Sequence, residues 1–386
     1  MKQIVLVLSV VVLLVMSSCS RQQLKVTVSN PSDFERNNEM VTVSLVNNKL
    51  DGDEFSVKEE GSNQVIKSQL VDSDDDGVAD ELIFMANLPA NASKQFVISI
   101  ERQTVTDDSI KTFARFAPER TDDFAWENDR VAFRTYGPEA QRMAEAGEPG
   151  GTLSSGIDCW LKKVDYSIIN KWYQGNVDEP GYYHIDHGEG LDNYHVGPSR
   201  GCGGTGVMID GQLYASKNFT SYKVLNNGPV QSDFVLEYEA YTAKDQLIKE
   251  TKYVSIALGR NFTKYIIEVE GADTLTVGLT LHDKEGLVST NESAGWINYH
   301  TPHKGEMLSS AIIAQPGYLA GTSIIESDAK DESHALMHLK VIDGKAAFYA
   351  GFNWSASKQF SGNDAWEQYL TQQANAMVNP IEIIVR

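Results

Sequence analysis

The stretch Ser232–Gly271, SDFVLEYEAYTAKDQLIKETKYVSIALGRNFTKYIIEVEG, decides the fold class. It reads as three strands: SDFVLEYEAYTA, IKETKYVSIALG and TKYIIEVEG. Apolar and polar residues alternate through each, the period-two pattern of a strand with one covered face. Valine, isoleucine, tyrosine and threonine recur, and these side chains fit a pleated surface. Strands of this kind are antiparallel neighbours.

The pattern continues on both sides. RVAFRTYG precedes it; LTVGLTLH, GWINYH, SSAIIAQPG, HALMHLKVI, KAAFYAGFNW and IEIIVR follow it. Residues 120–386 are therefore expected to form two large stacked antiparallel sheets. Upstream, KVTVS, MVTVSL, FSVKE, QVIKSQL, ELIFM and KQFVISI are shorter and are separated by turn-forming DGD, GSN and LPANAS. They predict a small β domain over residues 24–104, joined to the larger unit by ERQTVTDDSIKTFARFAPERTDD. Only EAQRMAEAG and DAWEQYLTQQANAMV look helical; in the second, Trp366, Leu370, Ala374 and Met377 recur near helical spacing ahead of Pro380.

The chain opens MKQIVLVLSVVVLLVMSSCS, one cation and an apolar run ending in two serines and Cys19. This reads as a lipoprotein signal over residues 1–19, cleaved before a lipidated Cys19, and it is too short to span a bilayer with proper flanks. No acidic run follows Cys19, which favours the periplasmic face of a Gram-negative outer membrane, with the membrane touched only through the lipid. The net charge of −20 excludes nucleic acid and anionic membrane surfaces as partners. Local cations still permit an acidic glycan. Cys159 and Cys202 are too few for a disulfide framework, and pairing between them stays open.

VDSDDDGVADELIF sets Asp72, Asp74, Asp76 and Asp80 at positions 1, 3, 5 and 9 of a loop, with Gly77 at position 6. Hard oxygen ligands at that spacing suit a structural Ca²⁺. The closing glutamate of an EF-hand is absent, and the flanks are strands.

YYHIDHGEGLDNYHVGPSRGCGG, Tyr182–Gly204, concentrates acid–base groups. His184 and His187 form an H-x-x-H pair, a weak zinc signal without HExxH. No nucleophile elbow surrounds Ser199. Glu189 with Glu127 offers the two carboxylates of a glycosidase. For a lyase, His187, Glu189, Tyr194 and His195 are candidate proton carriers, and Arg200 is a carboxylate partner. DDFAWENDRVAFRTYGP adds Arg130 and Arg134 on one predicted strand face, a ready carboxylate clamp, and Trp126 as a stacking surface. With Glu127 and His184 these make the substrate-binding candidates.

VSNPSDFERNNEMVTV, DSDDDGVADELIF, AWENDRVAFRTYGP, SGIDCWLKK, the glycine-rich loop and AWEQYLTQQANAMVNPIEIIV together resemble a family of secreted bacterial proteins of unknown function. Its members sit among polysaccharide-utilisation genes, often beside pectin- or uronate-degrading enzymes. The resemblance spans about Leu24 to Arg386. It implies a galactose-mutarotase-like β-supersandwich, a fold that hosts many carbohydrate activities without choosing one. No catalytic residue is carried over.

Three functions follow as expectations. The first is a lyase or hydrolase acting on an acidic, uronate-containing glycan. The second is a sugar mutarotase or epimerase, using a histidine acid and a carboxylate base. The third is a non-catalytic glycan-binding lipoprotein. No organic cofactor is expected.

Overall fold

The structure is a computed structural model that describes residues 23–50, 52, 54–101 and 110–386. The leader at 1–19 and its Cys19 lie outside the described residues. Among the described residues, no helix is long and apolar enough to cross a membrane.

The chain is mainly β, and all its sheets are built from antiparallel ladders. Near the N-terminus, strands Gln23–Ser29, Phe55–Glu59, Val65–Ile66 and Ser93–Ile100 lie in one sheet. Arg36–Ser44, Ser68–Val71 and Glu81–Leu88 form a second. Val26, Val28, Val41, Val43, Phe84, Phe96 and Ile98 make a shared core. Burying each such side chain is worth about 1.5–3 kcal/mol.

The last strand, Glu382–Val385, leaves the large unit and pairs with Gln23–Ser29, Val385 opposite Val26. The unit expected over 120–386 therefore gives its final strand to the N-terminal one. An edge strand with unpaired backbone groups is covered this way, and Ile383 and Val385 pack onto the N-terminal core.

The large unit is a sandwich. A nine-stranded sheet, to which Gln231–Tyr238, Gln246–Ala257 and Phe262–Glu270 belong, forms one layer. Opposite it lie two five-stranded sheets. One holds Cys202–Ile209, Thr274–Thr280 and His334–Lys340; the other holds Asp123–Glu127, Ala132–Thr135 and Asp158–Lys162. A bridge between Ile157 and Gly201 links the pair. Phe124, Trp126, Phe133, Val277 and Met337 meet Phe234, Val254, Tyr265 and Phe348 between the layers. Cys159 and Cys202 are buried free thiols.

The alternation in Gln246–Ala257 is real but not purely apolar. Ile248, Val254 and Ile256 share their buried face with Glu250 and Lys252. Glu250 accepts hydrogen bonds from the Tyr241 hydroxyl at 2.6 Å and from Thr205. Lys252 lies 3.7 Å from it, and burial pushes its ammonium down to about 8.

Helix Asn363–Val378 buries Trp366, Leu370 and Ala374 against Phe262, Trp296 and Ile313 on the outside of the nine-stranded sheet. Helix Pro138–Glu145 corresponds to EAQRMAEAG. A third helix, Ile169–Asp178, lay hidden in the sequence because Gly175 and Asn176 depress its propensity. It packs Trp172 and Tyr173 at a tilt on Trp160, outside the five-stranded sheet that holds Ala132–Thr135.

Candidate functional site

Residues of the glycine-rich loop and of the five-stranded sheet that holds Ala132–Thr135 border a cleft of about 460 Å³. Arg120, Arg134, Tyr136, His184, Asp192, Tyr194 and His195 supply its functional lining, with Leu153 on the wall. Gly190 lets the loop return against the sheet. Its φ is +111°, and a Cβ there would sit 2.0 Å from the Leu161 carbonyl.

Arg134 anchors the floor. Strand pairing sets it directly opposite Asp158. Its Nε donates to Asp158 at 2.8 Å, Nη1 to Asp123 at 3.2 Å and Nη2 to Asp192 at 2.8 Å. All four side chains are buried. One guanidinium thus faces three carboxylates, and the second oxygen of each aspartate has no hydrogen-bond partner. Burial pushes the carboxyl of Asp158 up to about 7, assisted by Asp192, and that of Asp192 up to about 6, in each case against the pull of Arg134. Asp123 is raised by burial too. Near neutral pH the cluster therefore carries a proton that ordinary aspartates would have lost.

Two histidines stand over this floor. The His184 Nδ1–H donates to the Asp192 carbonyl at 2.6 Å, which leaves Nε2 with the free lone pair. The His195 Nε2–H donates to Asp331 at 3.0 Å, which leaves Nδ1 free. Asp331 is almost buried, whereas half of the His195 side chain is open. Arg120 borders the same cleft. It donates to the Tyr183 hydroxyl at 3.0 Å and to Thr121 at 2.6 Å, both neutral groups. Asp123 also acts on its charge, so a ligand anion here would share the guanidinium with that carboxylate.

Behind the cleft, the His282 Nε2–H donates to the His195 carbonyl at 2.6 Å, and its ring meets Tyr194 edge-on at 4.6 Å. His303 bonds Asn193 at 2.8 Å. Burial pushes the His303 imidazole down to about 4 and lowers His282. Both are neutral braces at ordinary pH.

Of the sequence candidates, the cleft gathers Arg134, His184, Tyr194 and His195. Tyr194 is a wall: it is packed in the sandwich core, and burial holds its phenol well above the usual range. The others lie elsewhere. Trp126 is core, its indole N–H bonded to Thr263 at 2.9 Å. Glu127 is fully buried; it pairs with Lys162 at 2.8 Å and accepts the N–H groups of Ile168 and Ile169 where helix Ile169–Asp178 begins. Glu189 is held by Tyr166, Lys171 and Trp172. His187 stacks on Tyr182 at 4.0 Å outside the cleft. Arg130 precedes the strand in a turn and reaches Asn261. It shares no face with Arg134, so the two make no clamp. Arg200 is buried in a neighbouring cavity.

In the acidic turn, carboxylate oxygens of Asp72, Asp74 and Asp80 lie within 4.8 Å of one another. Asp76 stands outside this group, and its Oδ1 accepts the Val78 N–H at 2.8 Å. Asp72 accepts the N–H groups of Asp75, Asp76 and Gly77, which fixes the turn.

Sequence reasoning missed Arg120, Asp158, Asp192, Tyr136 and Asp331 as parts of the site. Asp192 sat within the quoted loop. Asp331 is brought in by tertiary contact alone.

Among solved structures, the chain resembles an α-mannosidase from Enterococcus faecalis V583, with TM-score 0.46 and 11% identity, covering 94% of this chain and 46% of that one. It also resembles an E. faecalis protein of glycosyl hydrolase family 38, with TM-score 0.43, 10% identity and coverages of 94% and 47%. The chain spans about half the length of either. An uncharacterized protein P7 of Formosa agariphila is 42% identical over 395 residues, the full length of both chains. Residues 28–383 match the model of a domain of unknown function, DUF4861, and the chain belongs to that family.

Proposed function

We propose that the protein is a carbohydrate-active enzyme that acts on acidic, uronate-containing glycans, and that the cleft over Arg134 is its active site. One observation carries the reading: a single 460 Å³ cavity holds two histidines, each with one ring nitrogen fixed and the other free, beside a buried acid and an arginine. A structural brace has no need of free imidazole nitrogens over a proton-holding carboxylate cluster.

The reaction that best uses these groups is β-elimination. Arg120 takes the uronate carboxylate and offsets the charge that develops on it as the neighbouring C–H is broken. His195, oriented by Asp331, accepts that C5 proton at Nδ1. The C–H electron pair forms the C4–C5 double bond, and the C4–O bond breaks. The departing oxygen takes the proton that the free Nε2 of His184 has first accepted from solvent, or one from the Asp192 carboxyl. Hydrolysis at the same linkage would use the same acid with water as the nucleophile.

A screen of uronate-containing oligosaccharides tests this, read by absorbance at 235 nm for unsaturated products and by mass for hydrolysis. Products that appear with the wild type and fall roughly a hundredfold with His195→Ala support the reading. Cleavage undiminished in both His184→Ala and His195→Ala refutes it.

Two subsidiary proposals accompany it. The Asp72, Asp74 and Asp80 cluster holds a structural Ca²⁺, supported by the convergence of three hard oxygen ligands. The chain is anchored through Cys19 at the periplasmic face of the outer membrane, supported by its leader sequence. A Cys19→Ala form that still takes up labelled lipid would refute the anchor.

A further inference from the structure

A second cavity of about 440 Å³ adjoins the first. Pro198 lines both. His195 lines the first and Asp331 the second, and these two side chains are hydrogen-bonded at 3.0 Å. The His195–Asp331 pair therefore stands at the junction. Gly197 keeps the junction free of a side chain: its φ is +52°, and a Cβ there would lie 2.5 Å from Asp331 Oδ2 and 3.0 Å from His195 Nε2.

The second cavity sets a cluster of polar groups among apolar walls of Leu213, Ala215 and Ile325. Arg200 is only 5% exposed and donates to Ser155, to the Thr205 carbonyl and to the Pro198 carbonyl, all neutral oxygens. Among the described residues it makes no direct ion pair, and buried Glu250 offsets its charge from behind. His334 accepts the Arg200 N–H at Nε2 and donates from Nδ1 to the Glu332 carbonyl, so both its nitrogens are committed. Asp331, Glu332 and the exposed Gln212 offer the carboxylate and amide groups that bind sugar hydroxyls in pairs.

We infer that the Arg200 cavity is a second sugar-binding subsite, and that the substrate is an oligosaccharide whose chain crosses Pro198 and presents its reacting linkage to the His195–Asp331 pair. This rests on the acidic-glycan reading of the first cleft and adds to it a minimum chain length and a direction. A free monosaccharide would leave the second cavity unused.

The test uses the full chain with His195→Ala, which slows turnover roughly a hundredfold, read before cleavage is appreciable. Oligogalacturonates and oligoglucuronates of two, four and six units are titrated by calorimetry. Affinity is expected to rise at least about tenfold from two units to six. Ala215→Trp fills the cavity and is expected to return the six-unit probe to the affinity of the two-unit one. Gln212→Ala, a truncation of an exposed side chain, is expected to reduce the gain severalfold while the melting temperature holds. Equal affinity at every length, or a length gain that survives in the folded Gln212→Ala and Ala215→Trp proteins, overturns the subsite and leaves the first cleft's reading intact. Failure of every probe to bind at any length overturns both.

Discussion

Replacing Arg134 with methionine removes the guanidinium bonded to three buried carboxylates. The side chain is 6% exposed, and its three ion pairs span 2.8 to 3.2 Å. Methionine fills much of the volume, so the loss is electrostatic rather than a cavity. Stranding one buried ionic partner costs about 3–5 kcal/mol. Three depend on Arg134, but protonation relieves part of their repulsion, so about 5 kcal/mol is the expected loss at pH 8. At about 2 °C per kcal/mol for a chain of this size, melting should fall by roughly 10 °C. The loss should shrink at low pH. Asp158 and Asp192 have native values raised to about 7 and about 6, above the ordinary 3.8. A raised native value means that their contribution to stability is complete below about pH 4 and is lost as pH rises through about 6 to 7. At pH 5 both are largely neutral and need the guanidinium less. Calorimetry of both proteins at pH 5 and pH 8 is the assay. A variant within about 1 kcal/mol of wild type at pH 8, or one hurt more at pH 5, would refute the cluster's electrostatics.

Glu127→Ala should cost about 3–5 kcal/mol of stability by stranding Lys162, with glycan binding by the remaining folded protein unchanged; denaturant unfolding and calorimetry check this. Gly197→Ala should lower turnover about tenfold and melting by a few degrees, because its Cβ crowds Asp331 and His195 and its positive φ strains alanine; normal kinetics would show that the pair tolerates displacement. Chelator should lower the wild-type melting temperature, and a chain carrying Asp72→Ala with Asp74→Ala should no longer respond; a wild type indifferent to chelator would make the turn an acidic hairpin only.

The strands were legible because alternation survives any packing partner: Val26, Val28, Val254 and Ile256 all face inward as the period requires. The helix at Asn363–Val378 was legible for the same reason, with Trp366, Leu370 and Ala374 buried. The arginine clamp failed because alternation holds only within a strand. The strand begins at Ala132, and Arg130 falls in a turn organised by Asn128, whose side-chain oxygen accepts the N–H groups of Arg130 and Val131. Glu127 looked catalytic because its partner, Lys162, lies on a strand whose neighbours the sequence does not reveal. The loop announced the site through its density of titratable groups, but not which of them face the cleft. His187 and Glu189 turn away, and Asp331 arrives from a distant turn beside strand His334–Lys340. Sequence distance hides what the sandwich brings together.

The most direct measurement is the rate of product formation from uronate oligosaccharides by the wild type and by His195→Ala, both confirmed as folded by melting temperature. The account predicts turnover by the wild type and a loss of roughly a hundredfold or more in the variant, with binding retained. Equal turnover by the two proteins would contradict it, and the loop would then be a structural brace.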